Sequence, residues 1–189
     1  DLHDWSIRQK CFDNTFELGG VCAAELYLLI DNADMFARNA FANTTITVHA
    51  DGELLGVFTP ELPKRRDGIV EITAYDDMVK LDEEYKQEEE FPIIFWNAYK
   101  GIAAKIGITK ENIIYDDVNG ESGGLGFLNQ DFETLMPAQS YRNVLAGMAQ
   151  FNGSFATITP DKKLLIKAFG KTVVREFFSP DLLDYDYSD

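Results

Sequence analysis

Through most of the first 80 or so residues, apolar and polar positions alternate with a period of two, the spacing of strands with one buried face. Thr44-Thr-Ile-Thr-Val-His-Ala50 sets Ile46 and Val48 on one face and Thr45, Thr47 and His49 on the other. Asp51-Gly52 follows, then Leu54-Leu-Gly-Val-Phe-Thr59. Two strand patterns flanking an Asp-Gly pair predict a hairpin. Val21 to Ile30 reads as another strand, with Val21, Ala23, Glu25 and Tyr27 facing one way and Cys22, Ala24, Leu26 and Leu28 the other. Ser6 to Phe12 alternates loosely, and Gly19-Gly20 is a break. Pro60 and Pro63 end the strand after the hairpin, Lys64 to Gly68 makes a charged turn, and Ile69 to Tyr75 is a further strand. About five antiparallel strands in this stretch suggest a small barrel or sandwich.

Beyond Leu81 the period changes. Asp82 to Glu90 is an acidic run, expected to be a linker or exposed turn. After Pro92, the apolar positions Phe95, Tyr99, Ile102 and Ile106 follow at helical spacing, and Gly107 supplies a stop. Ile113-Ile-Tyr115 is a short strand candidate, and Asp116 to Gly126 has a loop composition. Ser140 caps a second helix with the buried stripe Val144, Leu145, Met148 and Ala149, closed by Asn152-Gly153. Phe155 to Ile158, a Pro160-Asp161 turn and Leu164 to Ile166 form a second hairpin.

The fold class expected is α+β, an N-terminal antiparallel β-barrel or sandwich plus a smaller helix-and-hairpin domain. The expected boundaries are residues 1–81 and 82–170, with 171–189 a strand or linker toward a further domain. In one variant of this reading Lys171 to Phe178 returns as the last strand of the first barrel.

Charge narrows the functions open to such a fold. Seventeen basic against 32 acidic residues give a net −15, a field that repels phosphate and argues against tight nucleic-acid binding. The same charge keeps a protein soluble whatever its task. No apolar run approaches the roughly 18 residues a membrane span needs. Asp1-Leu-His-Asp-Trp5 has neither the basic start nor the apolar stretch of a secretory signal. The cysteines, Cys11 and Cys22, form no metal cluster. Either they pair across adjacent strands, or they are free buried thiols, as suits assembly in a cytoplasm.

Candidate chemistry is thin. A zinc site needs more ligands than His3 and His49 offer. Among the carboxylates, Asp76-Asp77, Asp116-Asp117 and Glu133 are the candidates for paired acid and base. Neighbouring residues of an extended backbone face opposite ways, however, so neither doublet is such a pair alone. Asp117-Val-Asn-Gly-Glu-Ser-Gly-Gly124 looks like half a calcium loop, but Gly120 comes too early and no closing Glu follows. Gly120-Glu-Ser-Gly-Gly124 matches the nucleophile-elbow pattern in form, with no His later in the chain. We therefore expect no catalytic, cofactor-binding or metal-ligating residue, and no enzyme.

Three stretches carry a resemblance. Phe16-Glu-Leu-Gly-Gly-Val-Cys-Ala-Ala-Glu-Leu26 is the first. Leu55-Gly-Val-Phe-Thr-Pro60, followed by Ile69-Val-Glu-Ile-Thr-Ala-Tyr-Asp-Asp-Met78, is the second. Ser140 to Ala156, followed by Asp161-Lys-Lys-Leu-Leu-Ile166, is the third. In order and spacing they resemble the tail-hub family of long-tailed phages and prophages. The resemblance implies a structural subunit of the virion tail. Its hub domain would follow its barrel, and it would self-associate as a trimer into a ring that joins the tail tube to the tip. The implied partners are distal tail and tube proteins, with no cofactor and no membrane. Alternatives of other classes are a carbohydrate-binding module, with Trp5 or Trp96 lining a groove, and a carboxylate-dependent cell-wall hydrolase. Trp96 is expected to be buried on its helix. In a ring of this kind, Glu53, Glu61, Asp67, Glu71, Asp76 and Asp77 are candidates for an acidic channel lining past which DNA slides.

Overall fold

The computed structural model describes residues 2–9, 18–21, 23–31, 41, 43–86, 92–116, 131–132, 139–151 and 153–168. Expectations for Cys11, Cys22, the 117–126 loop, Glu133 and the 171–189 segment fall outside these residues.

Six strands build one curled antiparallel sheet: β1 (Leu2–Arg8), β2 (Glu25–Asp31), β3 (Ile46–Ala50), β4 (Glu53–Pro60), β5 (Lys64–Arg66) and β6 (Ile69–Tyr75). Their order is β1-β2-β6-β4-β3, with β5 also paired to β6. The Asp51-Gly52 hairpin forms as its sequence requires, with both turn residues at positive φ, +50° and +85°. This is the two-residue geometry whose twist matches the flanking strands. Ile46 and Val48 face inward and Thr47 and His49 outward, as alternation predicts. The charged turn at Lys64 contains a strand that alternation does not reveal, because Lys64–Arg66 is exposed throughout. It pairs with Ile69 to Glu71 across a second positive-φ turn, Asp67-Gly68.

The sheet closes only halfway. β2 and β6 pair over seven residues, whereas β4 meets β6 only at Thr59 and Pro60. β6 ends at Tyr75, opposite Thr59, where Asp76 turns the chain into a 3-10 helix, so the rest of β4 has no partner on β6 and the β3–β4 ribbon swings away to give a half-barrel. Leu26, Phe58, Val70, Ile72 and Ala74 fill its concave side. The Phe58 ring lies over Gly56, where a Cβ would come within 2.7 Å of it, so that position must stay without a side chain.

A second lobe combines α1 (Phe95–Lys105), β8 (Ile113–Asp116), α2 (Tyr141–Phe151), β10 (Ser154–Ile158) and β11 (Leu164–Ala168). The short strands β7 (Ile93–Ile94) and β9 (Asp131–Phe132) pair beside it. β10 and β11 form the expected hairpin, and β8 adds to β11 in parallel. α2 begins and both helices end as their sequences indicate, whereas α1 starts at Phe95, past Pro92, because Ile93–Ile94 pair as β7. Ser140 Oγ accepts from the Asn143 amide at 3.1 Å, and Gly107 and Gly153 take positive φ just beyond the helix ends. Tyr99, Ile102, Leu145, Leu164 and Ile166 are fully buried between helices and sheet.

Some expected bounds shift. The first strand is Leu2–Arg8, beginning ahead of Ser6 and ending before Gln9; residues 10–12 lie outside the described residues. The second begins at Glu25 and not at Val21. The reason lies in the other lobe. Gly19, at φ +85°, packs so tightly on α2 that a Cβ would sit 2.5 Å from the Ala146 carbonyl. Its amide donates to Ser154, and the Ala156 amide donates to Gly20, so Val21 lies beside β10 before the chain returns to the sheet. Val21, Met78 and Leu81, all from the first 81 residues, are buried in the core of the second lobe. The acidic run is likewise not a free linker at its start. The Tyr85 amide donates to Gln139 and the Tyr141 amide to Glu83, so this stretch zips against the start of α2.

Candidate functional site

Buried charge collects where the sheet meets the second lobe. β6 leads straight into a 3-10 turn, Asp77–Asp82. Asp76, at its N-cap, is 5% exposed and accepts from two backbone amides, Met78 on Oδ1 and Ala24 on Oδ2, each at 3.0 Å. One carboxylate thereby fixes both the start of the turn and the approach to β2. Burial pushes its pKa up to about 6, against the two amides, which favour the anion; Asp77 adds to the rise and Arg142 opposes it.

Asp77 faces two ammonium groups, Lys80 at 2.6 Å and Lys162 at 3.0 Å. Burial alone would raise its pKa, but the two lysines together hold it below the usual carboxylate range. Lys162 reaches it from the tip of the β10–β11 hairpin. At the far end of the turn, Arg142 of α2 ion-pairs with Asp82 at 2.6 Å and donates to the Met78 carbonyl at 3.2 Å. The Gln9 amide donates to Thr157 Oγ1, a further tie between the end of β1 and β10. A small cavity at this joint is lined by Gln9, Gly56, Phe58, Asp76, Pro160 and Lys162, among others.

Chemically, the arrangement is a fastening. The Asp76-Asp77 doublet, weighed above as an acid and base pair and as channel lining, is taken up by backbone amides and lysines inside the joint. Burial also removes both residues from any surface lining. Glu53, Glu61 and Asp67 stay exposed, and Glu71 is half-buried. His3 pairs with Asp31 at 2.9 Å, and His49 is exposed on β3. Among the described residues, no three His, Cys, Asp or Glu side chains gather as a metal site. Trp5 is 41% exposed on the edge strand β1. Trp96 is half-buried against the core of the second lobe, less enclosed than its place on the helix predicts. The two tryptophans thus belong to different lobes. Sequence reasoning missed Lys162 and Arg142. The Pro160-Asp161 turn was legible, but nothing local marks a lysine whose partner lies on the other lobe.

No family model matches the chain, and no curated protein matches it by sequence. Solved structures do match. The 43 kDa tail protein of prophage MuSo2 from Shewanella oneidensis superposes with a TM-score of 0.58 over 80% of this chain at 14% identity. The tail protein from Neisseria meningitidis MC58 gives 0.57 over 79%, also at 14% identity. The chain shares the fold of phage tail proteins. It spans 46% and 43% of the lengths of those two tail proteins. Both the half-barrel and the second lobe are needed to reach such coverage, so the likeness is to the tail-protein arrangement of lobes and not to one common sheet. No described helix is long and apolar enough to cross a membrane.

Proposed function

We propose that this chain is a structural subunit of a phage or prophage tail, situated at the tip or baseplate hub. There it would self-associate, as a trimer in the complete protein, into a ring that joins the tube to the tip and lets DNA pass. The observation that carries this reading is the shared fold over four-fifths of the chain with two tail proteins. Three features support it. Among the described residues, β1 and β3 end the strand order of the half-barrel, so each offers an edge to a neighbouring subunit. The net charge of −15 offers DNA no adhesive surface. The buried carboxylates serve the joint between lobes and leave the reading structural. The division into residues 1–81, 82–170 and 171–189 belongs to this proposal, with the 18–21 segment reaching across it.

Mass spectrometry of purified virions from the source strain, after prophage induction, tests the tail assignment; absence of the protein from intact particles overturns it. Analytical ultracentrifugation and negative-stain imaging of the full-length protein test the ring. A trimer with a central hole is expected, and a monomer at tens of micromolar with no ring refutes that part alone.

A further inference from the structure

We propose that the tip of the β10–β11 hairpin is a latch, in which Lys162 seats on Asp77 and holds the tip down on the junction where β6 leaves the half-barrel. This goes beyond the tail reading and does not depend on it. The first observation is conformational. Lys162 has φ +61°, in the left-handed region where glycine or asparagine is the usual occupant. The turn itself does not require a lysine. It is closed by the Lys162 amide on the Thr159 carbonyl and the Thr159 amide on the Lys163 carbonyl, both at 2.9 Å. The Thr159 hydroxyl, accepting from the Lys163 amide at 3.0 Å, adds a third tie. The loop Pro160-Asp161-Lys162 is a turn followed by a left-handed residue, so the conformation at 162 is set by the hairpin. That a lysine bears its cost, and not glycine or asparagine, is explained by what the side chain reaches.

The second observation is that target. The Asp77 side chain is 10% exposed and stands at the root of the 3-10 turn, directly after β6 and beside the capping carboxylate of Asp76. Its position is set jointly by the sheet, through Asp76 on the Ala24 amide, and by Met78 and Leu81 in the core of the second lobe, whereas Lys162 sits at the outer tip of the hairpin. Around the pair the apolar packing is incomplete, with the small cavity lying between Pro160 and Phe58. The ion pair thus bears on a contact that side-chain packing does not fill. Lys80 also binds Asp77 from within the turn. Removing Lys162 hence leaves Asp77 paired, so the latch can be opened without stranding a buried charge.

The charged groups around the pair are Asp76, Lys80, Asp82, Arg142 and Asp161, and none of them substitutes for Lys162 at the hairpin tip. Opening the latch frees residues 158–163 to move relative to the sheet.

Hydrogen exchange read by mass spectrometry on the purified chain tests this, using Lys162→Gly and Lys162→Gln. Glycine relieves the backbone strain and removes the tether. Were Lys162 only a turn residue, exchange of the tip amides in Lys162→Gly would slow or stay the same. The latch predicts that it quickens roughly three- to tenfold, together with amides of the Asp77–Asp82 turn. Lys162→Gln keeps the strain and loses the charge, so it should quicken exchange as well. High salt should bring the wild type toward both variants, because the Lys162 side chain is 42% exposed. Wild-type exchange in Lys162→Gln, or slowed exchange in Lys162→Gly, overturns the latch.

Discussion

Asp76 offers the sharpest test of how the joint is built. Its carboxyl is almost wholly buried, and burial pushes its pKa up to about 6 from an ordinary 3.8. The folded state therefore binds this proton more tightly than the unfolded chain does. Each tenfold in proton affinity is worth about 1.4 kcal/mol, so the ionised group costs the fold about 3 kcal/mol at neutral pH. That cost is fully present above pH 6 and is relieved as the pH falls toward 3.8. Between pH 7 and pH 5 the relief is about 1.3 kcal/mol, or roughly 3–5 °C in melting temperature for a domain of this size. Acidification also relieves self-repulsion from the net charge of −15. The measurement is therefore the difference between wild type and Asp76→Asn, which share that relief. Asparagine does not titrate, and only one of its side-chain atoms can accept an amide hydrogen, so it breaks one of the two backbone ties at every pH. Denaturant unfolding at pH 7, 6 and 5 should show wild type gaining about 1.3 kcal/mol on the variant toward pH 5. A flat difference, or one that moves the other way, would mean that the Ala24 and Met78 amides keep the carboxyl anionic despite its burial.

Further outcomes follow from the packing. Gly19→Ala should destabilise far more than Gly52→Ala. Both residues have φ +85°, but a Cβ at Gly19 strikes α2, whereas Gly52 faces open space; thermal melts should place the second loss near 1 kcal/mol and the first well above it. Ser140→Ala removes the cap of α2 and should cost about 1 kcal/mol in chemical denaturation, with the m-value unchanged. Leu145→Ala, at a fully buried position between α2 and its sheet, should cost about 2–5 kcal/mol. A loss under 1 kcal/mol there would mean that the second core is not packed as described.

Elements written in local pattern were legible in the sequence. The Asp51-Gly52 hairpin, the stripe Val144 to Ala149 and the Phe155 to Ile166 hairpin each carry their own period and their own stop. What escaped was whatever depends on a distant partner. Lys64–Arg66 has no apolar face, and its strand exists because Ile69 to Glu71 lies opposite. Val21 belongs to the alternating run before β2, yet it is drawn to β10 by the backbone bonds of Gly19 and Gly20, and the fit of Gly19 against α2 leaves no trace in the sequence beyond a small residue. Asp76-Asp77 stood out as a doublet. Its task at the joint depends on Ala24, Lys162 and Arg142, and neighbouring residues could not disclose that.

The segment that crosses from the half-barrel to lie beside β10 also sets an order in time. The Gln9 and Thr157 side chains that join across this junction are separated by 148 positions along the chain. During synthesis the hairpins of the sheet have their partners within reach almost at once, but residues 18–21 must wait until β10 has left the ribosome. At about 5–20 residues per second, that interval is roughly 7–30 seconds. Contacts between distant segments carry a high closure entropy and are slow to form. For that interval the nascent chain carries Gly19–Val21 without their neighbours, and it is most exposed to mispairing with other copies. The chain must first finish an internal connection that β10, more than 130 residues downstream, supplies.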